Sequence, residues 1–473
     1  MNFSILKSDG SVLGKISRNS LSLYLAFGIR KFCVLFLAVA IARHLAEAGF
    51  GLYCLALVLL ELGIRLAVFG TDILIIRDIS ASSPDARDLV GNALGWRIAA
   101  GFLIFPLLII LAGLISDSPL LPRLIALMGT GMIAQIIGDL YLSVVQGRER
   151  VDLFALVQGS TSIIGLILGL GALKLGFGLF GVGIAYSIRG LFSLALGVVV
   201  CRFRGGRVKL RFGSRFVWKM LTRAAPIAAS RILTIVYLGS GLAVLEYFRG
   251  AASVGKFAGP MKIFEACGAL GMLTMVAAFP TISRLREESP DELKKAARSL
   301  IRFFCWLGIP LSAVIALNAP VILSIFGAEF SNYAPALILI MIAIPFSLNS
   351  ELVERLAYAA NDQKRVLAVR FSGILLNFVI LFFLVNRLNY LAPAFAILGA
   401  EAAMFFLFLS RWRWYVPSLK FWRNALPPVL ICLMALTPVL FFLKTLGIYP
   451  WAVFIALFLV LASGTKLIKR SVR

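Results

Sequence analysis

The sequence predicts an all-α polytopic membrane protein of about fourteen transmembrane helices. The basic linker and an internal match described below divide twelve of them into two pseudo-symmetric six-helix lobes, cations left inside the spans point to a central cationic cavity, and two extra helices stand at the C-terminus. Three observations carry the membrane class. Of 473 residues, 60% are hydrophobic and 15% charged, with a mean hydropathy of +0.96, a balance foreign to soluble domains. Apolar runs of roughly 20 residues, the length a bilayer requires, recur along nearly the whole chain. The cations between them gather in alternate loops.

The first 18 residues hold Lys7, Asp9, Lys15 and Arg18 and no apolar core ending in small residues. No removable signal peptide is expected, and the span at 19–42 directs insertion itself. Predominantly apolar stretches of bilayer length then give spans at 50–76, 90–115, 119–145, 152–173 and 177–201, completing an N-terminal lobe over 1–201. Residues 202–217 form a basic cytoplasmic linker. The C-terminal lobe, 218–411, has spans at 218–245, 252–280, 301–325, 333–358, 366–386 and 391–411. Residues 412–473 comprise an interfacial segment and spans at 424–443 and 448–467. The stretch "RWRWYVPSLKFW" beside it mixes Trp and Tyr with cations, as an interfacial belt does.

The net charge is +25, yet no nucleic-acid partner is implied, because the positions of the cations account for them. One set of loops and their span ends carries Lys7, Lys15, Arg18, Arg77, Arg87, Arg148, Arg150, the run from Arg202 to Arg223, Arg284, Arg286, Lys294, Lys295, Arg298, Arg302, Lys364, Arg365, Arg370, Arg411, Arg413, Lys420, Arg423, Lys466, Lys469, Arg470 and Arg473. The other carries only Arg43, Arg123, Lys174, Arg249, Arg387 and Lys444, one to a loop. The positive-inside rule then puts both termini in the cytoplasm of a plasma (inner) membrane protein. The densest run, "RFRGGRVKLRFGSRFVWKML" at 202–221, either sets orientation or grips anionic membrane lipids.

Cys33, Cys54, Cys201, Cys267, Cys305 and Cys432 stand singly in apolar runs with no CxxC pair, and His44 is the sole histidine. These residues read as packing groups, so neither a metal site nor a His-based relay is expected. No phosphate-cradling glycine motif and no loop long enough for a catalytic domain are present. The chain reads as a non-enzyme without cofactors, and any energy it couples comes from an ion gradient.

The stretch "FGLYCLALVLLE" (50–61) aligns with "VGKFAGPMKIFE" (254–265) in Gly, aromatic and terminal Glu, which points to an internal duplication of the kind many transporters use. Together with "RHLAEAGFGLYCLAL", "FGTDILIIRDIS", "FPTISRL", "SIFGAEFSNYAPAL" and "LLNFVILFFLVNRLNYLAPAFAILGAEAAM", these motifs resemble the polysaccharide repeat-unit (lipid-linked oligosaccharide) flippases of the multidrug/oligosaccharidyl-lipid/polysaccharide exporter superfamily. The resemblance covers the chain to about residue 411 and implies the two lobes. It also implies movement of an undecaprenyl-diphosphate-linked oligosaccharide to the outer leaflet by a monomer. Related lipid II flippases use acids for a sodium site between helices 7, 11 and 12. Here the eleventh span offers Asn377 and no acid.

Nine cations remain inside spans: Arg30, Lys31, Arg65, Arg97, Arg189, Arg231, Lys256, Lys262 and Arg355. Each costs roughly 2.5–3.5 kcal/mol at mid-bilayer on insertion scales, so each needs compensation. Glu61 with Arg65, Glu351 with Arg355 and Lys262 with Glu265 can pair along their own helices, while Arg97 and Lys256 lie near enough to span ends to snorkel. Arg30, Lys31, Arg189 and Arg231 have no acid within four residues and are expected to face a wet cavity or an anion.

A diphosphate suits such a site, since guanidinium donors pair with phosphate oxygens. All these cations except Arg355 are candidate diphosphate ligands. Glu61, Glu265 and Glu401 are candidate carriers of a coupling proton. Competing readings are a lipid II flippase, a multidrug exporter, for which a cationic interior is unsuited, and a membrane-embedded polysaccharide polymerase or ligase, which would carry a long outward loop. The orientation is checked by single cysteines introduced at 203–212 in a cysteine-free background. They are expected to stay unlabelled by impermeant maleimide in intact cells and to react once the membrane is opened.

Overall fold

The computed structural model describes residues 12–205, 208–360 and 362–410, and 426, 427, 429 and 430 beyond them. The spans expected at 424–443 and 448–467 and the interfacial segment lie, apart from those four positions, outside the described residues. Within them the chain is helical throughout: α1 (Val12–Val68), α2 (Thr71–Ser80), α3 (Ala86–Ile115), α4 (Leu120–Gly147), α5 (Val151–Lys174), α6 (Gly178–Val200), α7 (Ser214–Glu288), α8 (Pro290–Leu317), α9 (Ala319–Ser324), α10 (Ala334–Ile342), α11 (Ile344–Ala359), α12 (Gln363–Leu388) and α13 (Ala392–Ser410).

Among the described residues, nine stretches are long and apolar enough to cross a membrane. Breaks at Ala46, at Gly250 and in the turn Asn389–Leu391 divide three of these in two, which makes twelve crossings among the described residues. Large apolar side chains point outward along them, as with Leu25, Ile29, Phe32 and Phe36 on α1 and Phe102, Leu103, Leu107, Ile110 and Leu114 on α3. A hydrocarbon solvent accommodates that arrangement and water does not.

The loops expected at 43–49 and 281–300 are mostly helix instead. α7 runs to Glu288 and α8 begins at Pro290, favoured at a first helical position, with Asp291–Lys294 and Glu292–Lys295 pairs supporting the first turns. The predicted span 50–76 is broken by left-handed Phe69 and Gly70, so α2 starts afresh. The predicted span 333–358 divides into α10 and α11, with Pro345 at the second start.

The chain forms two compact units, Met1–Gly255 and Lys256–Arg473. The first holds α1 to α6 and the first part of α7. The start of α7 belongs there because Val217, Met220 and Ala224 are buried with Leu74, Ile75, Leu89, Val90, Leu94 and Val144 from α2, α3 and α4. At its other end Glu246 accepts a hydrogen bond from Ser116 at the end of α3 (2.5 Å). In the second unit α12 packs on α13 and α11 on α8 and α13. Phe326, Phe330, Tyr333 and Tyr390 form an aromatic row around the turns between α9 and α13, edge-on at Phe330–Tyr333 and Tyr333–Tyr390.

The duplication is visible in one register. Both long helices break at a left-handed residue with extended ψ, Ala46 (φ 52°) and Gly250 (φ 76°). The alignment that carries 50–61 onto 254–265 carries Ala46 onto Gly250, the start of α3 onto that of α8, and Pro106 within α3 onto Pro310 within α8. The α1 and α7 segments cross just after their breaks. A Cβ on Gly51 would lie 2.2 Å from the Ala251 carbonyl oxygen, and one on Gly255 would lie 1.9 Å from that of Glu47. Each contact is the image of the other, so this crossing is close to twofold, and glycine alone permits it. The expected result for Gly51→Leu is a loss of about 1–3 kcal/mol or more from forced separation of the helices, read as a lower midpoint in thermal unfolding of the purified protein in detergent.

Candidate functional site

Two charged residues of the spans in the first unit, Arg97 and Arg231, reach the start of α2. Because the chain breaks at Phe69 and Gly70, α2 opens with Thr71, whose hydroxyl donates to the Val68 carbonyl (2.6 Å). The same oxygen accepts from Arg97 Nε (3.2 Å) and Nη2 (3.0 Å), while Arg97 Nη1 donates to the Ile136 carbonyl on α4 (3.1 Å). Arg97 is fully buried. It does not snorkel, as its place on the span suggested, because its donors are satisfied inside the protein. The residue after Thr71, Asp72, accepts from Arg231 Nη1 on α7 (2.6 Å), and its other oxygen, Oδ1, is buried with no hydrogen-bond partner.

Asp139 on α4 lies within electrostatic reach of Arg97, Arg30, Arg65 and Glu61. Glu61 pairs with Arg65 one turn along α1, as the spacing predicts. Arg189 on α6 donates to Gln135 Oε1 (2.8 Å) and stacks over the Tyr186 ring at 4.8 Å, a cation–π contact. Tyr186 in turn senses Glu61 and Asp139. Arg30 is half-buried on α1, with no ion-pair partner among the described residues. One network thus joins Arg30, Arg65, Arg97, Arg189 and Arg231 to Glu61, Asp72 and Asp139, a surplus of two positive charges. Arg65, Arg231 and Glu61 each keep about a third of their side-chain surface accessible. Lys31, next to Arg30, is exposed.

The second unit holds the remaining candidates. Lys262 donates to Glu265 (2.9 Å), the expected pairing, and Lys256 Nζ lies 5.6 Å from the Tyr333 ring centre. Glu401 is buried on α13. It acts on Arg370, which pairs directly with buried Glu354, while Arg355 pairs with Glu351 at 2.6 Å.

Two of these relations escaped the sequence reading. Arg231 lacks an acid only along its own helix, since Asp72 supplies one from far upstream. Arg370 was grouped with the loop cations, although its place four residues inside the span at 366–386 was the available signal.

A family model described as polysaccharide biosynthesis protein matches residues 16–286, and the MatE family model matches residues 226–383. No curated protein matches the sequence. Among solved structures the chain is similar to the lipid II flippase MurJ in an inward closed conformation, at 14% identity and TM-score 0.78 over 95% of this chain and 99% of that one. It is also similar to an inward-facing multidrug resistance MATE family transporter of the MOP superfamily, at 16% and 0.70 over 82% and 96%. A third similar structure is a MOP superfamily transporter from Pyrococcus furiosus with a binding pocket of reversed polarity, at 15% and 0.63 over 85% and 94%. The fold is that of these transporters.

Removing Arg231 alone strands Asp72 as a buried charge, and removing Asp72 alone strands Arg231. The Asp72→Ala, Arg231→Ala double variant is therefore expected to be more stable than the two single losses add up to. The coupling, about 0.5–3 kcal/mol, is read from a double-mutant cycle of thermal unfolding.

Proposed function

Because the chain belongs to the polysaccharide biosynthesis protein family, we propose that it is a flippase of lipid-linked sugars. It carries an undecaprenyl-diphosphate-linked oligosaccharide repeat unit from the cytoplasmic to the outer leaflet of the plasma membrane by alternating access. The observation that carries this reading is the positive surplus of the α1–α7 network. A diphosphate is the cargo group that answers it, and a cationic drug is not. Arg30, Arg65, Arg189 and Arg231 contact the phosphates, since charge-assisted guanidinium contacts are strong where water is scarce.

Arg97 has no exposed surface and positions α2, α3 and α4 beneath them. Lys31, Lys256 and Lys262 extend the basic set. Glu61, paired with Arg65, and Glu265, paired with Lys262, are with buried Glu401 the candidate carriers of a coupling proton. The protein works as a monomer with both termini in the cytoplasm. Likeness to MurJ favours a second substrate, lipid II, which shares the polyprenyl diphosphate.

The test is complementation of an export-deficient strain at matched membrane abundance. Arg30 is the informative residue, because it can be changed without breaking an ion pair. Arg30→Ala is expected to lose one charge-assisted contact, about 1.5–3 kcal/mol, or roughly ten- to a hundredfold in affinity, with Arg30→Lys retaining part of the export. Full export by an Arg30→Ala, Arg231→Ala variant would overturn the assignment of these arginines to the diphosphate. Rescue of a lipid II flippase depletion, without rescue of export, would move the substrate to lipid II.

A further inference from the structure

Residues 209–213, in the basic segment before α7, form a fixed strap on α3. The Arg211 amide donates to the Gly91 carbonyl (3.1 Å), and the Gly213 amide donates to Asn92 Oδ1 (2.7 Å), whose amide group in turn donates to the Asp88 carbonyl (2.8 Å). The strap lies so close on α3 that a Cβ at Gly91 would sit 2.6 Å from the Lys209 carbonyl oxygen, and one at Gly95 would sit 2.4 Å from that of Arg211. This part of the chain is therefore held in place, and what it displays is a defined surface.

That surface combines two features that are costly together in water. Phe203, Leu210, Phe212 and Trp218 are exposed, at 79%, 63%, 63% and 71%. In the same segments the side chains of Arg202, Lys209, Arg215 and Lys219 are exposed and have no ion-pair or hydrogen-bond partner among the described residues. Cations nearby do have partners, with Arg211 on Asp88 and Arg223 on Asp78. Arg215 and Lys219 stand one turn apart at the opening of α7, a like-charge i,i+4 pair at the positive end of a helix dipole. Both arrangements are unfavourable unless an anion neutralises them.

We propose that this surface is a binding site for an anionic phospholipid of the adjoining leaflet. The headgroup phosphate is held by Arg202, Lys209, Arg215 and Lys219, and the acyl chains cover Phe203, Leu210, Phe212 and Trp218. A free phosphate would satisfy the cations and leave the apolar side chains in water. An amphiphile answers both, and basic segments at the membrane surface draw anionic lipids by this attraction. The proposal is independent of the transported substrate. The lipid grips the strap that anchors the first turns of α7, the helix that delivers Arg223 to Asp78 and Arg231 to Asp72.

The test uses the full chain in lipid nanodiscs of mixed phosphatidylglycerol and phosphatidylcholine, with one lipid at a time brominated to quench tryptophan. Subtracting the Trp218→Phe protein isolates the Trp218 signal. Quenching by brominated phosphatidylglycerol is expected to exceed that by brominated phosphatidylcholine by roughly twofold or more at equal mole fraction. The excess should vanish in an Arg202→Gln, Lys209→Gln, Arg215→Gln, Lys219→Gln variant. Equal quenching in the wild type overturns the proposal, and this comparison decides even if the quadruple variant fails to fold. Persistence of the excess in a folded quadruple variant also overturns it. Loss of the excess on adding inorganic phosphate, but not chloride of the same ionic strength, would assign the site to free anions and overturn it as well.

Discussion

Arg97 is a guanidinium with no exposed surface in a segment that spans the membrane, and the architecture of the first unit follows from satisfying it. Its three hydrogen bonds reach Thr71 at the start of α2 and the Ile136 carbonyl on α4. Hydrocarbon offers no water to complete a broken set. The chain break at Phe69 and Gly70 is thus a requirement, because it turns Thr71 toward α3. It also places Asp72 where it meets Arg231. A continuous helix through this point would separate these groups.

The second constraint is the close crossing of the two long helices. Gly51 and Gly255 each meet the backbone of the other helix, just beyond breaks at Ala46 and Gly250 that correspond in the duplication. Ala46 holds a backbone conformation usual for glycine, a strain of order 1–3 kcal/mol, and the close packing that follows offsets it. Helices that approach this closely can rock about their contact with little change in the burial of side chains. Under the proposed function, such a pivot suits alternating access. Glu61 and Arg65 stand on the α1 segment that makes this crossing, and Arg231 stands on α7 before its break.

Partial compensation defines the character of the network. Glu61, Asp72 and Asp139 answer some of the arginines and leave a surplus of two positive charges, with Arg30 outside any ion pair among the described residues. Full pairing would make the site inert, and no pairing would make it too costly to bury. Under the proposed function, a site poised between these extremes suits a multivalent anion that must be held and released again.

Much of this was legible in the sequence. Composition and the period of apolar runs fixed the class, since a bilayer sets span length and leaves few alternatives. Pairs one turn apart, Glu61 with Arg65 and Lys262 with Glu265, were readable because helix geometry is local. The repeat surfaced in one short alignment whose register the structure extends to both breaks and to Pro106 and Pro310. Tertiary structure alone decided the partner of Arg231, the burial of Arg97, the pairing of Arg370 with Glu354 and the seating of the basic strap on Gly91 and Gly95. Each depends on residues distant in the chain brought within hydrogen-bond reach. The spacing of charges along one helix records what that helix can satisfy by itself, and only packing shows what a neighbouring helix supplies.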